Sequence, residues 1–120
     1  LSNNTLITNL DISNTLLSSI NLTPLVNLQQ LYAAVLGNVT EVDLSSNSQL
    51  TVVGLSNSTS LVDVNMKNGN NTNMTIDTSA TPNLACIDVD DAVYASTALG
   101  WSNVGGTPNG STIFMEICII

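Results

Sequence analysis

The chain has 120 residues, nine of them acidic and one basic (Lys67), with no Arg and no His, for a net charge of −8. That balance all but excludes nucleic acid, whose phosphates are held by Lys and Arg, and an anionic membrane surface for the same reason. No apolar run reaches the roughly twenty residues of a membrane-spanning helix, and the length fits one domain or a piece of one.

In chain order, the first feature is an apolar frame at offsets 0, 3 and 5. It opens at Ile7, Leu10 and Ile12, and returns at Leu17, Ile20 and Leu22, then at Leu28, Leu31 and Ala33. It continues through Val39, Val42, Leu44; Leu50, Val53, Leu55; and Leu61, Val64, Met66. From Leu17 to Leu61 each step is eleven residues. Such a beat marks a solenoid, whose short units stack because none can bury its apolar face alone. Offsets 3 and 5 put two side chains on one face of a strand with an exposed residue between them. Polar segments such as Ser45-Ser46-Asn47-Ser48-Gln49 interrupt any helical period and supply turns. Two units make one coil of about 22 residues, with strands in parallel. The preceding Leu1-Ser2-Asn3-Asn4-Thr5 reads as the tail of an earlier unit, so the start is taken as a truncation.

After Met66 the beat is lost, returning once at Leu84, Ile87 and Val89. Residues 1–89 are therefore read as coils and 90–120 as a C-terminal cap. In the cap, Asp91 to Leu99 is a short helix that Gly100 ends, and the run from Ile113 to Ile120 is a strand. Tyr94, Trp101 and Phe114 fall in this tail, as do the glycines Gly105-Gly106 and Gly110. Cys86 and Cys118 match no zinc spacing. They are either two buried thiols or a disulfide. The disulfide is expected, since closing a loop of that length stabilises by about 3–4 kcal/mol on a chain-entropy argument, and it points to an oxidising compartment.

The frame and coil length resemble a leucine-rich repeat, and more narrowly the short-coil repeats of secreted proteins from Flavobacteria and other Bacteroidetes. Their half-unit L-x-x-L-D-V-S-x-N-x-x-L is matched by Val39-Thr40-Glu41-Val42-Asp43-Leu44-Ser45-Ser46-Asn47-Ser48-Gln49-Leu50, and loosely by Ile7 through Asn14. Pro82-Asn83-Leu84-Ala85-Cys86-Ile87-Asp88-Val89-Asp90-Asp91, preceded by Asn68-Gly69-Asn70-Asn71-Thr72-Asn73, resembles that family's terminal cap with its second Cys. Leu25 and Leu36 stand where the family usually has Asn, which breaks a continuous Asn ladder. The resemblance implies a mainly β solenoid of short parallel strands, with turn or extended back sides and a C-terminal capping subdomain. It also implies export to the cell surface or beyond, often by type IX secretion.

One outward column, Asn21, Asp43, Asn65 and Asp88, follows alternate units; the other face gives Asp11, Tyr32 and Gly54. Asn21, Asp43, Asn65, Asp88 and Tyr32 are the candidate binding residues, although Asn and Asp at such points also bond neighbouring turns. Asp88, Asp90 and Asp91, with Asn70 and Asn71, offer hard oxygen ligands of the kind calcium takes; helix capping explains them better. Thr75, Thr78 and Thr81 are spaced by three and make no flat threonine face such as an ice binder uses. With no His and no Ser/His pair, catalysis has no evident base, and neither a cofactor nor a metal is expected. Two functions remain: a secreted or surface module binding protein or glycan in adhesion, and a structural stalk or assembly unit stacking on further repeats or neighbouring subunits.

Overall fold

In a computed structural model the chain is described over residues 4–101 and 112–118. Among the described residues, eight three-residue strands form two parallel sheets. Sheet one runs β1 (Asn9–Asp11), β2 (Gln30–Tyr32), β4 (Val52–Gly54) and β6 (Thr75–Asp77). Sheet two runs β3 (Glu41–Asp43), β5 (Asp63–Asn65), β7 (Cys86–Asp88) and β8 (Ile113–Met115). The strands of each sheet come from alternate eleven-residue units, so the coil of about 22 residues carries a strand on each of two faces. The result is a mainly β solenoid with little helix, rising by one strand spacing, about 4.8 Å, per coil.

The frame positions fill the space between the sheets. Leu28, Leu31, Ala33, Leu50, Val53, Leu55, Leu61, Val64 and Met66 are all buried to within 1 % of full exclusion. Register stacks like on like: Leu31 on Val53 and Ile76 in one sheet, Val42 on Val64 and Ile87 in the other. Beyond each strand the ladder continues, with Ala33 N–H donating to the Gly54 carbonyl (2.7 Å) and Leu44 N–H to that of Asn65 (2.8 Å).

The beat is not lost after Met66. β6 continues it, with Ile76 and Thr78 inward at 4 % and 0 % exposure. Val53 registers with Ile76, a step of 23 residues, because an added residue is taken up in the turn of Gly69 (φ +79°) and a 3-10 turn at Asn71–Asn73. Met74 then takes the core place the frame assigns to position 73, which is exposed. A polar residue at offset 5 and the displaced offset 0 hid this unit.

Buried asparagines join coil to coil. Asn47 Nδ2 donates to the carbonyls of Leu22 and Leu25 (both 2.9 Å), and Asn68 Nδ2 to that of Asn47 (2.9 Å). Leu25, Asn47 and Asn68 occupy equivalent turns, so the ladder exists but starts one coil late. Serine serves the opposite turns: Ser58 Oγ accepts from Leu36 N–H (3.2 Å).

The C-terminal segment closes the last coil. α1 (Ala92–Thr97) is capped by Asp91, whose carboxylate accepts from the amides of Val93 and Tyr94. The helix does not run to Gly100: Ala98 is already extended, and Leu99–Trp101 form a 3-10 turn. Gly100 is needed for close approach instead, since a Cβ there would lie 2.9 Å from the Met74 carbonyl. This turn covers the edge of β6, while β8 pairs with β7, Phe114 opposite Ile87. Trp101 is 1 % exposed between them, its indole donating to the Asn71 carbonyl (3.2 Å) and meeting Phe114 edge-on at 5.7 Å. Cys86 and Cys118 form a disulfide, Cα atoms 6.1 Å apart. Of the expected C-terminal strand, Ile113–Met115 is strand; Ile119 and Ile120, like Leu1–Asn3 and the Gly105-Gly106 and Gly110 glycines, lie outside the described residues.

Candidate functional site

Outward positions of the two sheets differ in chemistry. Sheet two presents Glu41 and Asp43, Asp63 and Asn65, then Asp88 beside Met115, and is acidic. Three of the candidate residues, Asp43, Asn65 and Asp88, stand in one registered row. Asn21 holds the equivalent place one coil earlier, where no strand forms.

Each of the first three folds its own turn. Asn21 Oδ1 accepts from Thr23 N–H (3.1 Å), Asp43 Oδ1 from Ser45 N–H (2.9 Å) and Asn65 Oδ1 from Lys67 N–H (3.0 Å). This i to i+2 bond is the local alternative to a ladder that Asn and Asp side chains favour. Asp88 instead accepts from Cys118 N–H (3.1 Å), securing the tail at the disulfide. Lys67 serves the same tail, its Nζ donating to the Glu116 carbonyl (2.9 Å).

Asp63 sits diagonally beside Asp88. Carboxylate oxygens of the two and Cys118 Sγ all lie within 4.8 Å of one another, but that sulfur is bonded to Cys86 and offers no thiolate. Asp63 Oδ1 is buried without a hydrogen-bond partner. Burial first, then the negative charges of Asp88 and Glu41, push its carboxyl above the usual carboxylate range.

The other acidic run is spent on backbone amides. Asp90 accepts from Gly69 N–H (3.1 Å) and Asn71 N–H (3.4 Å), and Asp91 caps α1. Asp88, Asp90 and Asp91 thus face separate groups and do not converge on one cation.

Tyr32 belongs to neither cluster. It stands on sheet one, in a registered row of Asp11, Tyr32, Gly54 and Asp77. Asp11 and Asp77 each use Oδ1 to accept from the amide two residues on, Ser13 and Ser79 (both 2.9 Å). The Ser13 bonds hold the Asp11 carboxyl below the usual range. Around this row lies an open groove of about 790 Å³, with Tyr32 on one wall and Leu99 and Gly100 on the other. Val52, Gly54 and Thr75 also line it. Tyr32 is 41 % exposed and Leu99 91 %. The candidate residues therefore divide between two faces, and only Tyr32 lines this groove. In the sequence neither Asp77 nor Leu99 stood out as a site residue, and Thr75 did so only by its spacing with Thr78 and Thr81. Asp77 follows Gly54 by 23 residues, so carrying the row past one inserted residue would have found it. Of the threonines, Thr75 is outward while Thr78 and Thr81 are fully buried.

No protein-family model, curated protein or solved structure matches this chain. Among the described residues no helix is long and apolar enough to cross a membrane.

Proposed function

We propose that this chain is a non-enzymatic contact module of the leucine-rich-repeat kind, of the short-coil type found in secreted bacterial proteins. It acts outside the cell or on its surface, where it holds a protein or glycan partner in adhesion. The observation that carries this reading is the groove on sheet one, where an exposed aromatic ring and aliphatic side chains lie between two carboxylates on a rigid, registered surface. Rigid presentation suits recognition, since little ordering remains to be done on binding. The disulfide is compatible with an oxidising compartment. The residue set supports a non-catalytic reading, with no His and the one Lys engaged by the tail.

Screening peptides and neutral oligosaccharides against the isotope-labelled chain by NMR tests the reading. Binding should shift amides of β2, β4 and β6; ligands that consistently shift only sheet two would refute it.

A second reading, as a stalk or assembly unit, is favoured by the first coil. Leu6 and Leu16 are 87 % and 89 % exposed, Leu17 and Val26 are about half exposed, and β1 is the unpaired edge of its sheet. Sedimentation at rising concentration tests it, and a strict monomer would sink self-assembly.

A further inference from the structure

We propose that the sheet-one groove takes an extended basic peptide, with two Lys or Arg residues four positions apart lying over Asp11 and Asp77. The proposal rests on the contact-module reading and names its partner.

Charge complementarity selects the ligand. The row across the sheet begins and ends in carboxylates, and no basic residue lines the groove. Asp11 and Asp77 each commit Oδ1 to their own turn, which fixes the carboxylate, and leave the second oxygen without a partner among the described residues. The whole chain carries −8. A field of one sign steers a cation toward the face and turns an anion away. A neutral glycan would gain nothing from that field.

Spacing then sets the ligand's register. Asp11 and Asp77 are separated by three strand intervals, about 14 Å, while four residues of extended peptide span about 13 Å. Residues i, i+2 and i+4 of such a peptide point to one side. A peptide laid along the coil axis therefore puts basic residues i and i+4 over the two carboxylates and residue i+2 between Tyr32 and Gly54.

Between the carboxylates the surface is suited to aliphatic stems. Tyr32 presents an exposed ring, and Val52 and Leu99 supply apolar wall. Long basic side chains lay their methylenes on such surface and keep the charged head beside acceptors or an aromatic face. Gly54 leaves the middle of the row open. A Cβ there would stand 3.5 Å from the Tyr32 ring, an ordinary contact. The groove is open at this point by lack of a side chain and not by backbone need.

That last point supplies the decisive variant. Gly54→Val fills the groove, suits a strand and leaves every charge in place. The probe is a blocked peptide containing Lys-Thr-Val-Thr-Lys, titrated into the labelled chain at low and high salt. Amides of β2, β4 and β6 should shift, and salt should weaken binding. Gly54→Val and Tyr32→Ala should each weaken it by tenfold or more, with amides of sheet two unmoved as a control for folding. Asp77→Asn should lessen the salt dependence, and the same peptide with Glu for Lys should not bind. Equal binding to Gly54→Val and to the parent would mean general charge attraction and end the proposal. Neutral oligosaccharides shifting the same amides while the basic peptide does not would overturn the basic partner and leave the contact module standing. Silence of the groove toward both probes would overturn both.

Discussion

Asparagine and aspartate do three different jobs in this molecule, and burial separates them. Asn47 is fully buried and donates to two carbonyls of the preceding coil, so its amide replaces ladder bonds a turn cannot make. Asp11 and Asp43, both exposed, and the half-buried Asp77 close their own i+2 turns. Asp63 is placed against its nature, beside two other acids with one oxygen buried and unpaired. Its folded-state pKa lies above the unfolded value, so the native state binds this proton more tightly. The cost of ionising it is absent below the unfolded carboxylate range, grows as pH rises through it, and is complete above the folded value. Asp63→Asn should therefore raise the melting temperature at neutral pH, with a gain that shrinks as the pH falls into the acid range. A gain independent of pH, measured across a melting series, would contradict this. The type of each residue was legible in the sequence; which job it does was not, because burial is set by the neighbouring coil.

Strands here are only three residues long, and no single one would persist alone. Each survives because its inward residue is registered on another and its ladder extends one residue further, as at Ala33 and Leu44. The 0, 3, 5 spacing announced β1 to β5 and β7, where offset 5 is apolar, and over-read the unit at Leu17, Ile20 and Leu22, where no strand forms and Leu17 is 41 % exposed. It failed at β6, where Thr78 is inward and an extra residue enters the turn. It also misplaced Gly100 as a helix end, since a glycine chosen for close packing looks the same in sequence as one chosen for φ. The Leu99–Trp101 turn rests on β6 through this glycine. Gly100→Ala puts a methyl 2.9 Å from the Met74 carbonyl, and overpacking of that kind costs about 1–3 kcal/mol. Denaturant unfolding should show that loss, with Trp101 fluorescence changing early. An unchanged midpoint would mean that the turn shifts freely.

In a solenoid each coil touches only its neighbours, so stability is carried from unit to unit and the ends matter most. The last coil is closed on both sheets, by β8 and by the 3-10 turn, with Trp101 between and the disulfide fastening Cys118 to β7. Reducing the disulfide should lower stability by about 2–4 kcal/mol. Hydrogen exchange should then show β8 and Val89 losing protection before β3. Uniform loss along the chain would mean that the cap and coils melt as one unit. By itself the sequence determined the parallel stack, its 22-residue coil and most of the inward residues, because an apolar period must be buried and only stacking does so. The alternation of outward residues along the chain also put Tyr32 on one face and Asp43, Asn65 and Asp88 on the other. Tertiary structure decided that Leu99 comes from the tail to the rim of Tyr32's groove and that Asp63 lies beside Asp88. Those are proximities across coils, and a spacing along the chain cannot state which side of a neighbour it will meet.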